Sequence, residues 1–453
     1  MTRRLGTALL TIAFLGAVIG GVGAPLITSV ALDLAVPLDA AQWTLTITLF
    51  AGAVSAPILG RLGAGPRRRA SLLAALGLVA LGGLLTALPL SFGILLVGRA
   101  LQGLGLGVTA LLMSIARDHL DPVQAKSTIA TVAVASTVGI GIAYPLMGLL
   151  DQLSGLRTAY GAGFLLSLLA VLIAWRVVPR DAPRPAPRLD LPGAVLLGIG
   201  LLSVLLVVAQ PAIWHQPLFG VGILLVGAAA LVAWALVERR AAAPLVDLRI
   251  LVSRGVLRAN CAMLLAGIGM YLLFSLLTRY VQTPLEAGYG FGLSGVLAGA
   301  ALIPFSLLGF VAGRFSPRMT ARLGDDWMFV ACAAAVAIVA ILFAVLPQSL
   351  IAVLVAMGVL GYGVGGASAV MPALVLAGAP AEETASVLSI NQIVRSVGFS
   401  IGSALAGLLL AAATEPEDVF PTQAGYALAA LCVVPLLLIS GIPILRGRMR
   451  SAS

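Results

Sequence analysis

The stretch Val97-Gly98-Arg99-Ala100-Leu101-Gln102-Gly103-Leu104-Gly105-Leu106-Gly107 places a charge and an amide in a segment that is otherwise apolar enough to cross a bilayer. A charged side chain at the bilayer centre costs about 2.5–3.5 kcal/mol on insertion scales, so it avoids facing lipid. We therefore expect Arg99 to face a bundle interior or a water-filled cavity, and we take it as a candidate functional residue. The alternative is a structural arginine that reaches the membrane interface or binds backbone carbonyls.

The composition of the whole chain agrees with a membrane protein. Of the 453 residues, 60% are hydrophobic and only 10% are charged, whereas soluble domains average about 25% charged residues. Apolar runs of 18 or more residues predict transmembrane helices. We count fourteen such runs, the first over 5–32 and the last over 425–445, and predict an all-α polytopic membrane protein.

The basic residues support this count. When the connections alternate between the two sides of the membrane, 23 of the 27 Lys and Arg residues fall on one side and two on the other, while Arg99 and Arg395 lie inside spans. Because basic connections face the cytoplasm, we expect both termini there. The net charge of +10 therefore reflects topology, and the chain lacks the interleaved basic and aromatic residues that would indicate nucleic-acid binding.

The two halves of the sequence resemble each other. Residues 138–150 share seven identities in thirteen positions with the segment 259 residues later, and the glycines of 98–105 recur 260 residues later, where Val359 replaces Arg99. Two parallel six-span halves with a site between them near the midplane are typical of secondary transporters. The predicted units are a six-helix bundle over 1–178, a cytoplasmic linker over 179–190, two inserted spans over 191–237, a cytoplasmic loop over 238–255, and a second six-helix bundle with a short tail over 256–453.

Several motifs carry a more specific resemblance. Residues 99–103 form an R-x-x-Q-G motif, and Gly141, Pro145 and Gly148 resemble a fifth-span antiporter motif, with Tyr144 where a glycine is usual. Residues 189–194 and 244–249 resemble signatures that precede two later spans. Together these motifs resemble the fourteen-span drug/proton antiporter branch of the major facilitator superfamily over nearly the whole chain. The resemblance implies a multidrug-type efflux protein that works by alternating access. It also implies that transport is coupled to protons and that the arginine of the motif, Arg99, takes part in this coupling.

The chain departs from that family in its acidic residues. Ala24 stands where the family's first-span motif carries an aspartate, and no carboxylate falls near the middle of a predicted span. A proton-coupled exporter of cations needs a buried acid that titrates. Arginine cannot take this part, because its pKa exceeds about 12. Export or facilitated transport of neutral or anionic compounds without proton coupling therefore stays open as an alternative.

The candidate site residues fall into three groups. Those expected to act in transport and coupling are Arg99, Gln102 and Gly103. Those expected to form conformational motifs are Gly60, Arg61, Arg67, Arg68, Arg69, Asp118, Gly141, Pro145 and Gly148. Those expected to line a substrate cavity are Trp43, Tyr144, Asn260, Gln282, Asn391 and Arg395.

Three of these candidates carry further expectations. Asp118 lies at the cytoplasmic end of a span adjacent to the basic cluster of 67–69, so we expect an ion pair between them. Asn391 and Arg395 are four residues apart and share a helix face. Arg395 has an alternative of equal weight, in which its side chain reaches the cytoplasmic interface. The aromatic Tyr271 is expected to pack rather than to bind a ligand.

The sequence also suggests which classes of activity are absent. No span contains the His, Cys, Asp and Glu constellation of metal or acid–base chemistry, so we expect neither an enzyme nor a metal or cofactor. A non-transporting receptor is a remote alternative. The expected partners are a lipophilic small-molecule substrate, protons under the antiporter interpretation, and membrane lipids. The expected state is a monomer in the plasma membrane.

Overall fold

The structure is a computed structural model that describes residues 2–23, 25–36, 38–63, 67–88, 91–180, 190–209, 213, 216–241, 248–377, 384–414 and 420–451. Ala24 and most of the predicted linker over 179–190 lie outside these ranges. The first helices are α1 (Thr2–Gly21), α2 (Ile27–Asp33), α3 (Leu38–Gly63), α4 (Arg68–Ala87), α5 (Phe92–His119), α6 (Pro122–Ser154) and α7 (Leu156–Val177). The others are α8 (Leu191–Ala209), α9 (Pro217–Arg240), α10 (Leu248–Leu251), α11 (Arg254–Gln282), α12 (Gly295–Ala300), α13 (Ile303–Leu323), α14 (Asp325–Val345), α15 (Leu350–Leu376), α16 (Thr384–Ala412), α17 (Gln423–Leu431) and α18 (Val433–Ser451).

Most of these helices can span a membrane. In the described part of the chain, 12 helical stretches are long and apolar enough to do so, with α12–α13 and α17–α18 each contributing one stretch. Neither α6, with 33 residues, nor α8, with 19, is among the 12, although both occupy predicted spans. The predicted all-helical membrane fold is confirmed, whereas the count of fourteen spans stays a prediction.

The first predicted span, 5–32, is not a single helix. α1 ends at Gly21, and α2 begins only after a Gly-rich turn and Pro25. Proline has no N–H to continue the hydrogen-bond ladder, and glycine lowers helix propensity by about 1 kcal/mol. The last turn of α1 therefore has few backbone donors for its carbonyls, with one 3.4 Å bond from the N–H of Val22 to the carbonyl of Ile19, and these carbonyls carry the negative end of the helix dipole inside the protein.

The helices pack in an arrangement that occurs twice. In the first half α1 contacts α6 and α7, α3 contacts α5, and α4 contacts α5 and α7. In the second half α11 contacts α16 and α18, α13 contacts α15, and α14 contacts α15 and α18. The two halves are thus built alike, while the residue boundaries of the predicted units stay predictions.

The close helix contacts fix the register of this repeat. A Cβ on Gly103 or Gly107 of α5 would collide with α3, and a Cβ on Gly361 or Gly365 of α15 would collide with the backbone of α13. These two pairs occupy equivalent places, and each pair is separated by 258 positions in the chain. The offset of 260 predicted for these glycines is therefore wrong by two residues, which on a helix turns them toward a different neighbour.

The corrected register changes the partner of Arg99 in the second half. The equivalent residue is Met357, which is buried at 1% exposure, and the predicted equivalence with Val359 is wrong. Because Met357 is an apolar core residue, the charge still belongs to one half alone. The asymmetry predicted from the sequence therefore survives the correction.

The two halves meet along two seams. At one seam α6 packs against α12, α13 and α15, and at the other α3 packs against α16. α8 also contacts α3 and α16, with Leu197 and Leu201 in an apolar cluster with Ala53 and Ile393. α9 packs on α8. The inserted helices therefore lie along the seam between α3 and α16.

Candidate transport site

Arg99 of α5 lies in the interior of the first half, with none of its surface exposed. Its Nε donates a hydrogen bond to the carbonyl of Thr44 at 3.1 Å, and Nη2 donates to the carbonyl of Gly20 at 3.0 Å. Nη1 donates to the carbonyl of Ile19 at 3.2 Å and to Oε1 of Gln102 at 2.6 Å. Four of the five N–H donors of the guanidinium are therefore bonded to neutral acceptors.

The acceptors of Arg99 also balance its charge. Ile19 and Gly20 form the last turn of α1, and a helix C-terminus carries roughly half a negative charge. The guanidinium thus caps the broken end of α1. Gly23 makes room for it, because a Cβ at that position would lie 2.6 Å from Nη2. Arg99 faces the bundle interior as expected, but it binds backbone carbonyls and does not face a cavity that a substrate could enter.

The rest of the R-x-x-Q-G motif extends this network. Gln102 Nε2 donates to Oγ1 of Thr86 in α4 at 3.3 Å, and Oγ1 of Thr48 in α3 donates to the carbonyl of Arg99 at 3.1 Å. Gly103 lets α3 approach, because a Cβ there would collide with the carbonyl of Thr48. The motif therefore joins α5 to α1, α3 and α4, which is a structural role in the arrangement observed.

The basic cluster at the start of α4 has the expected acidic partner. Arg68 forms an ion pair and a hydrogen bond with Asp118 at the end of α5, so the predicted pairing is confirmed. Arg69 Nη2 donates to the carbonyl of Trp175 in α7 at 2.5 Å. These contacts join helices of the first half to one another. A role in bracing the first half against the second stays a prediction.

The other members of this motif are less informative. Arg67 precedes α4 with its side chain exposed, and Gly60 is buried within α3. The side chain of Arg61 lies outside the part of the structure that is described. At the start of α6 and of α14, Lys126 Nζ and Asp325 Oδ2 approach each other across the two halves at 4.0 Å. An exposed pair of this kind contributes about 0–1 kcal/mol.

The fifth-span motif lies at the seam between the halves. A Cβ on Gly141 would collide with the side chain of Ser306 in α13, and a Cβ on Gly299 of α12 would lie 2.9 Å from the Cα of Pro145. Gly148 has no close neighbour, since the nearest atom to its added Cβ is 4.0 Å away. Two of the three motif residues thus permit close contact between the halves, as small or bent helix faces do in membranes.

A cluster of polar side chains lies on the second half, where α11, α15 and α16 meet. We call its members, Asn260, Ser368, Asn391 and Arg395, the polar group. Asn391 Nδ2 donates to Oδ1 of Asn260 at 2.9 Å, and both side chains are buried. One turn further along α16, Arg395 Nη1 donates to Oγ of Ser368 at 3.4 Å. The guanidinium also lies over the ring of Phe399 at 5.8 Å. The structure therefore brings together three of the residues predicted to line a cavity.

Aromatic rings continue from Arg395 toward the first half. Phe399 stacks on Tyr271 at 5.0 Å between ring centroids, and Tyr271 lies 5.3 Å from Phe274. Phe274 in turn meets Tyr144 of α6 edge-on at 6.5 Å. We call these five residues the aromatic surface: Arg395, Phe399, Tyr271, Phe274 and Tyr144. It crosses from one half to the other.

Sequence reasoning missed part of this surface. Phe274 and Phe399 were not candidates, and Tyr271 was expected only to pack. A signal was available for Phe399, because it follows Arg395 by four residues and so lies on the same helix face. No sequence spacing connects α6, α11 and α16, so the contacts among Tyr144, Phe274 and Phe399 depend on the tertiary fold.

Two predicted cavity residues lie elsewhere. Gln282 is exposed at the end of α11 and donates to the carbonyl of Thr278 at 2.8 Å. Asn260 lies near the start of the same helix, which at 1.5 Å per residue puts the two about 33 Å apart. Trp43 lies beside Thr44, in the surroundings of Arg99. Gln282 therefore lies far from the polar group, and none of the described contacts joins Trp43 to it.

Comparison with known proteins places this arrangement in a family. The family model of the Major Facilitator Superfamily matches residues 8–403 and 259–445. Puromycin resistance protein pur8 of Streptomyces alboniger is 30% identical over 438 residues, covering 91% of this chain and 85% of that protein. A multidrug resistance protein B homolog of Mycobacterium tuberculosis is 27% identical over 417 residues, covering 85% and 72%. The cephamycin export protein CmcT of Amycolatopsis lactamdurans is 32% identical over 298 residues, covering 63% and 59%.

Solved structures agree at the level of the fold. The human organic anion transporter MFSD10 (TETRAN) has a TM-score of 0.66 at 16% identity, covering 98% of this chain and 99% of that chain. The POT family transporter PepTSo has a TM-score of 0.62 at 16% identity, covering 100% and 99%. Family match, fold and multi-pass helices together show that the chain belongs to the major facilitator superfamily of membrane transporters.

Proposed function

We propose that this protein is a secondary active exporter of lipophilic small molecules that works by alternating access. The observation that carries the proposal is the aromatic surface. Both halves contribute side chains to it, and it meets the polar group at Arg395. A binding surface shared by two six-helix halves is what alternating access requires. The distribution of Lys and Arg in the sequence supports a plasma-membrane protein with both termini in the cytoplasm.

The chemistry of the seam supports a lipophilic substrate. A cavity of about 480 Å³ lies where α1, α6 and α13 meet, and Phe14, Val138 and Phe310 are among its lining residues. Apolar cavities with few polar groups select for shape and hydrophobicity. Relatives of this chain are named for resistance to puromycin, export of cephamycin and resistance to lincomycin. These compounds are therefore the first to test.

Two modes of energy coupling are compatible with export. The resemblance to antiporters favours exchange against protons. Export of neutral or anionic compounds without proton coupling is favoured by the environment of Arg99, whose partners are carbonyls and an amide instead of a titrating carboxylate. Flux of a fluorescent lipophilic compound in proteoliposomes, with and without an imposed pH gradient, separates the two. A flux that ignores the gradient would exclude the antiporter.

The export proposal is tested in a drug-sensitive host. Expression should raise resistance to puromycin or another lipophilic compound and should lower its cellular accumulation. Gly299→Val should abolish this effect, because the added atoms meet the backbone of Pro145 across the seam. Gly407→Val is the matched control, since an added Cβ there meets nothing within 4 Å. Unchanged accumulation of every compound on expression of the native chain would refute the proposal.

We also propose the simplest assembly. The chain works as a monomer surrounded by membrane lipids, with six-helix units over 1–178 and 256–453 and an inserted pair over 191–237. Each half carries its own apolar core, and the polar group and aromatic surface are complete within one chain. Light scattering of the purified protein with its detergent tests this expectation, and a dimer mass would contradict it.

A further inference from the structure

Arg395 differs from a structural arginine because its hydrogen-bonding capacity is almost unused. A guanidinium offers five N–H donors. The described contacts of Arg395 are one hydrogen bond of 3.4 Å to Ser368 and the face of the Phe399 ring. Within the described part of the chain no carboxylate forms an ion pair with it. Charged groups inside membrane proteins normally pair with one another or with backbone carbonyls, so an acceptor is lacking here.

Arg395 lies well within its helix. It is eleven residues into α16, which corresponds to about 16 Å of helix. Ser368, its partner, lies eight residues before the end of α15, or about 12 Å from that end. The side chain is nevertheless half-buried and not fully enclosed. It lines a small cavity to which Met113 of α5 and Ala133 of α6 also contribute, so it faces the space between the two halves, while reaching the interface stays the alternative.

A second group nearby lacks an acceptor as well. Asn260 is 4% exposed, and its Nδ2 has no hydrogen-bond partner, while its Oδ1 is occupied by Asn391. Asn391 and Arg395 line a cavity of about 10 Å³ together with Gln392 and Ser368. A volume of this size holds roughly one water-sized group. The unused hydrogen-bonding groups of Arg395 and of the nearby Asn260 are thus donors, which suits an anion.

The aromatic surface supplies the other half of a binding site. Beyond Arg395 the rings of Phe399 and Tyr271 stack at 5.0 Å, and Tyr271 and Phe399 are both half-buried. Such rings bind flat apolar groups by offset or edge-on contact, which adds to the stabilisation from burial. A cation at one end of an aromatic face recognises a molecule that is aromatic at one end and anionic at the other.

We propose that this site binds the carboxylate of a lipophilic aromatic acid, with the oxygens on Arg395 and the rings against Tyr271 and Phe399. Arginine binds carboxylates in a two-pronged, charge-assisted geometry. The inference rests on the proposed exporter function in taking this surface as the substrate site, and it adds a substrate class, organic anions, that the function alone does not specify. Arg99 takes no part, because its donors are already occupied.

The test compares an acid with its neutral counterpart on the purified full-length protein. 2-Naphthoate and 2-naphthamide share the aromatic body and differ in the charge of one group. We expect the native protein to bind the acid at least ten-fold more tightly in a calorimetric titration. Arg395→Gln should bring the acid to the affinity of the amide, and Arg395→Lys should retain part of the preference. Arg279→Gln, which removes an exposed arginine at the far end of α11, should leave the preference unchanged.

Each possible result decides the proposal. Equal affinities for acid and amide in the native protein would overturn it without any variant, so the outcome does not depend on whether Arg395→Gln folds. A preference that persists in folded Arg395→Gln would also overturn it, as would competition by chloride as strong as that by naphthoate, which would indicate a small-anion site. Because binding is measured without transport, acid-selective binding with no export by intact cells would refute the exporter and not the site.

Discussion

Arg99 and Arg395, the two arginines that the sequence places inside predicted spans, have opposite surroundings in the structure. Arg99 is completely buried, and four of its donors are bonded to the end of α1, to Thr44 and to Gln102. Arg395 is half-buried and has one long hydrogen bond and an aromatic neighbour. The comparison shows that a charge in a span acquires its role from how many of its donors the fold already uses.

The largest effect on stability is expected at Arg99. Arg99→Leu removes the donors that the carbonyls of Gly20 and Thr44 accept from and leaves the carbonyl of Ile19 with only the 3.4 Å bond from Val22, at about 1–3 kcal/mol for each unsatisfied group. We expect a strongly lowered midpoint of thermal unfolding. The midpoint is measured on the protein in detergent by tryptophan fluorescence. Arg99→Lys, which keeps the charge with three donors, should lie between this variant and the native protein. A native midpoint for Arg99→Leu would show that the arginine does not cap α1.

The next effect is expected at Gln102, which accepts from Arg99 and donates to Thr86. Gln102→Leu should cost about 1–3 kcal/mol, because it leaves a buried donor of Arg99 unpaired. Gln102→Glu keeps the acceptor and should unfold at least as late as the native protein. If the leucine and glutamate variants unfolded together, the hydrogen bond would contribute nothing, and the contrast between the two arginines would weaken.

Arg68 serves as a reference for Arg99 and Arg395. It has a carboxylate partner, whereas neither of the other two forms an ion pair within the described part of the chain. The Asp118 side chain is 31% exposed, so this pair should be worth only about 1 kcal/mol. Arg68→Asp and Asp118→Arg should each lower the unfolding midpoint slightly, and the double swap should recover most of the loss. A double variant no better than the worse single one would mean that the pair is not an independent contact.

The smallest effect on stability is expected at Arg395, where function should change instead. Arg395→Gln removes one long hydrogen bond, worth no more than about 1.5 kcal/mol. We expect nearly native unfolding and unchanged export of a neutral lipophilic compound, together with lost export of an aromatic acid in the same cells. Equal loss of neutral and acidic substrates, with intact folding, would assign Arg395 to the transport cycle and not to substrate choice.

Sequence reasoning reached the fold because the evidence for it is repeated along the chain. Hydrophobic runs, basic connections and two similar halves each report many residues at once, so an error at one position does little harm. The first span shows an error of this local kind. Its hydropathy is continuous over 5–32 and predicts one helix, yet Pro25 and the glycines before it end α1 at Gly21. The glycine register was wrong by two residues, because glycines on neighbouring helix faces recur at nearly the same spacing.

The site was harder to predict, because its parts come from distant segments. The pairing of Arg68 with Asp118 was accessible, since the sequence predicts both at the same end of adjacent spans. The capping of α1 by Arg99 was not, because it depends on the break in α1 and on where α5 crosses it. Likewise, no local pattern joins Asn391 of α16 to Asn260 near the start of α11, or joins Phe274 to Tyr144.

The central claim is that the fold uses Arg99 and leaves Arg395 for a ligand, and one labelling measurement on the native protein tests both parts. Methylglyoxal, a small dicarbonyl that modifies accessible arginines, would be applied with and without 2-naphthoate, and the modified peptides quantified by mass spectrometry. We predict that Arg395 is modified and that naphthoate protects it, while Arg99 stays unmodified in both conditions. Modification of Arg99 that naphthoate prevents, with no protection at Arg395, would contradict the account.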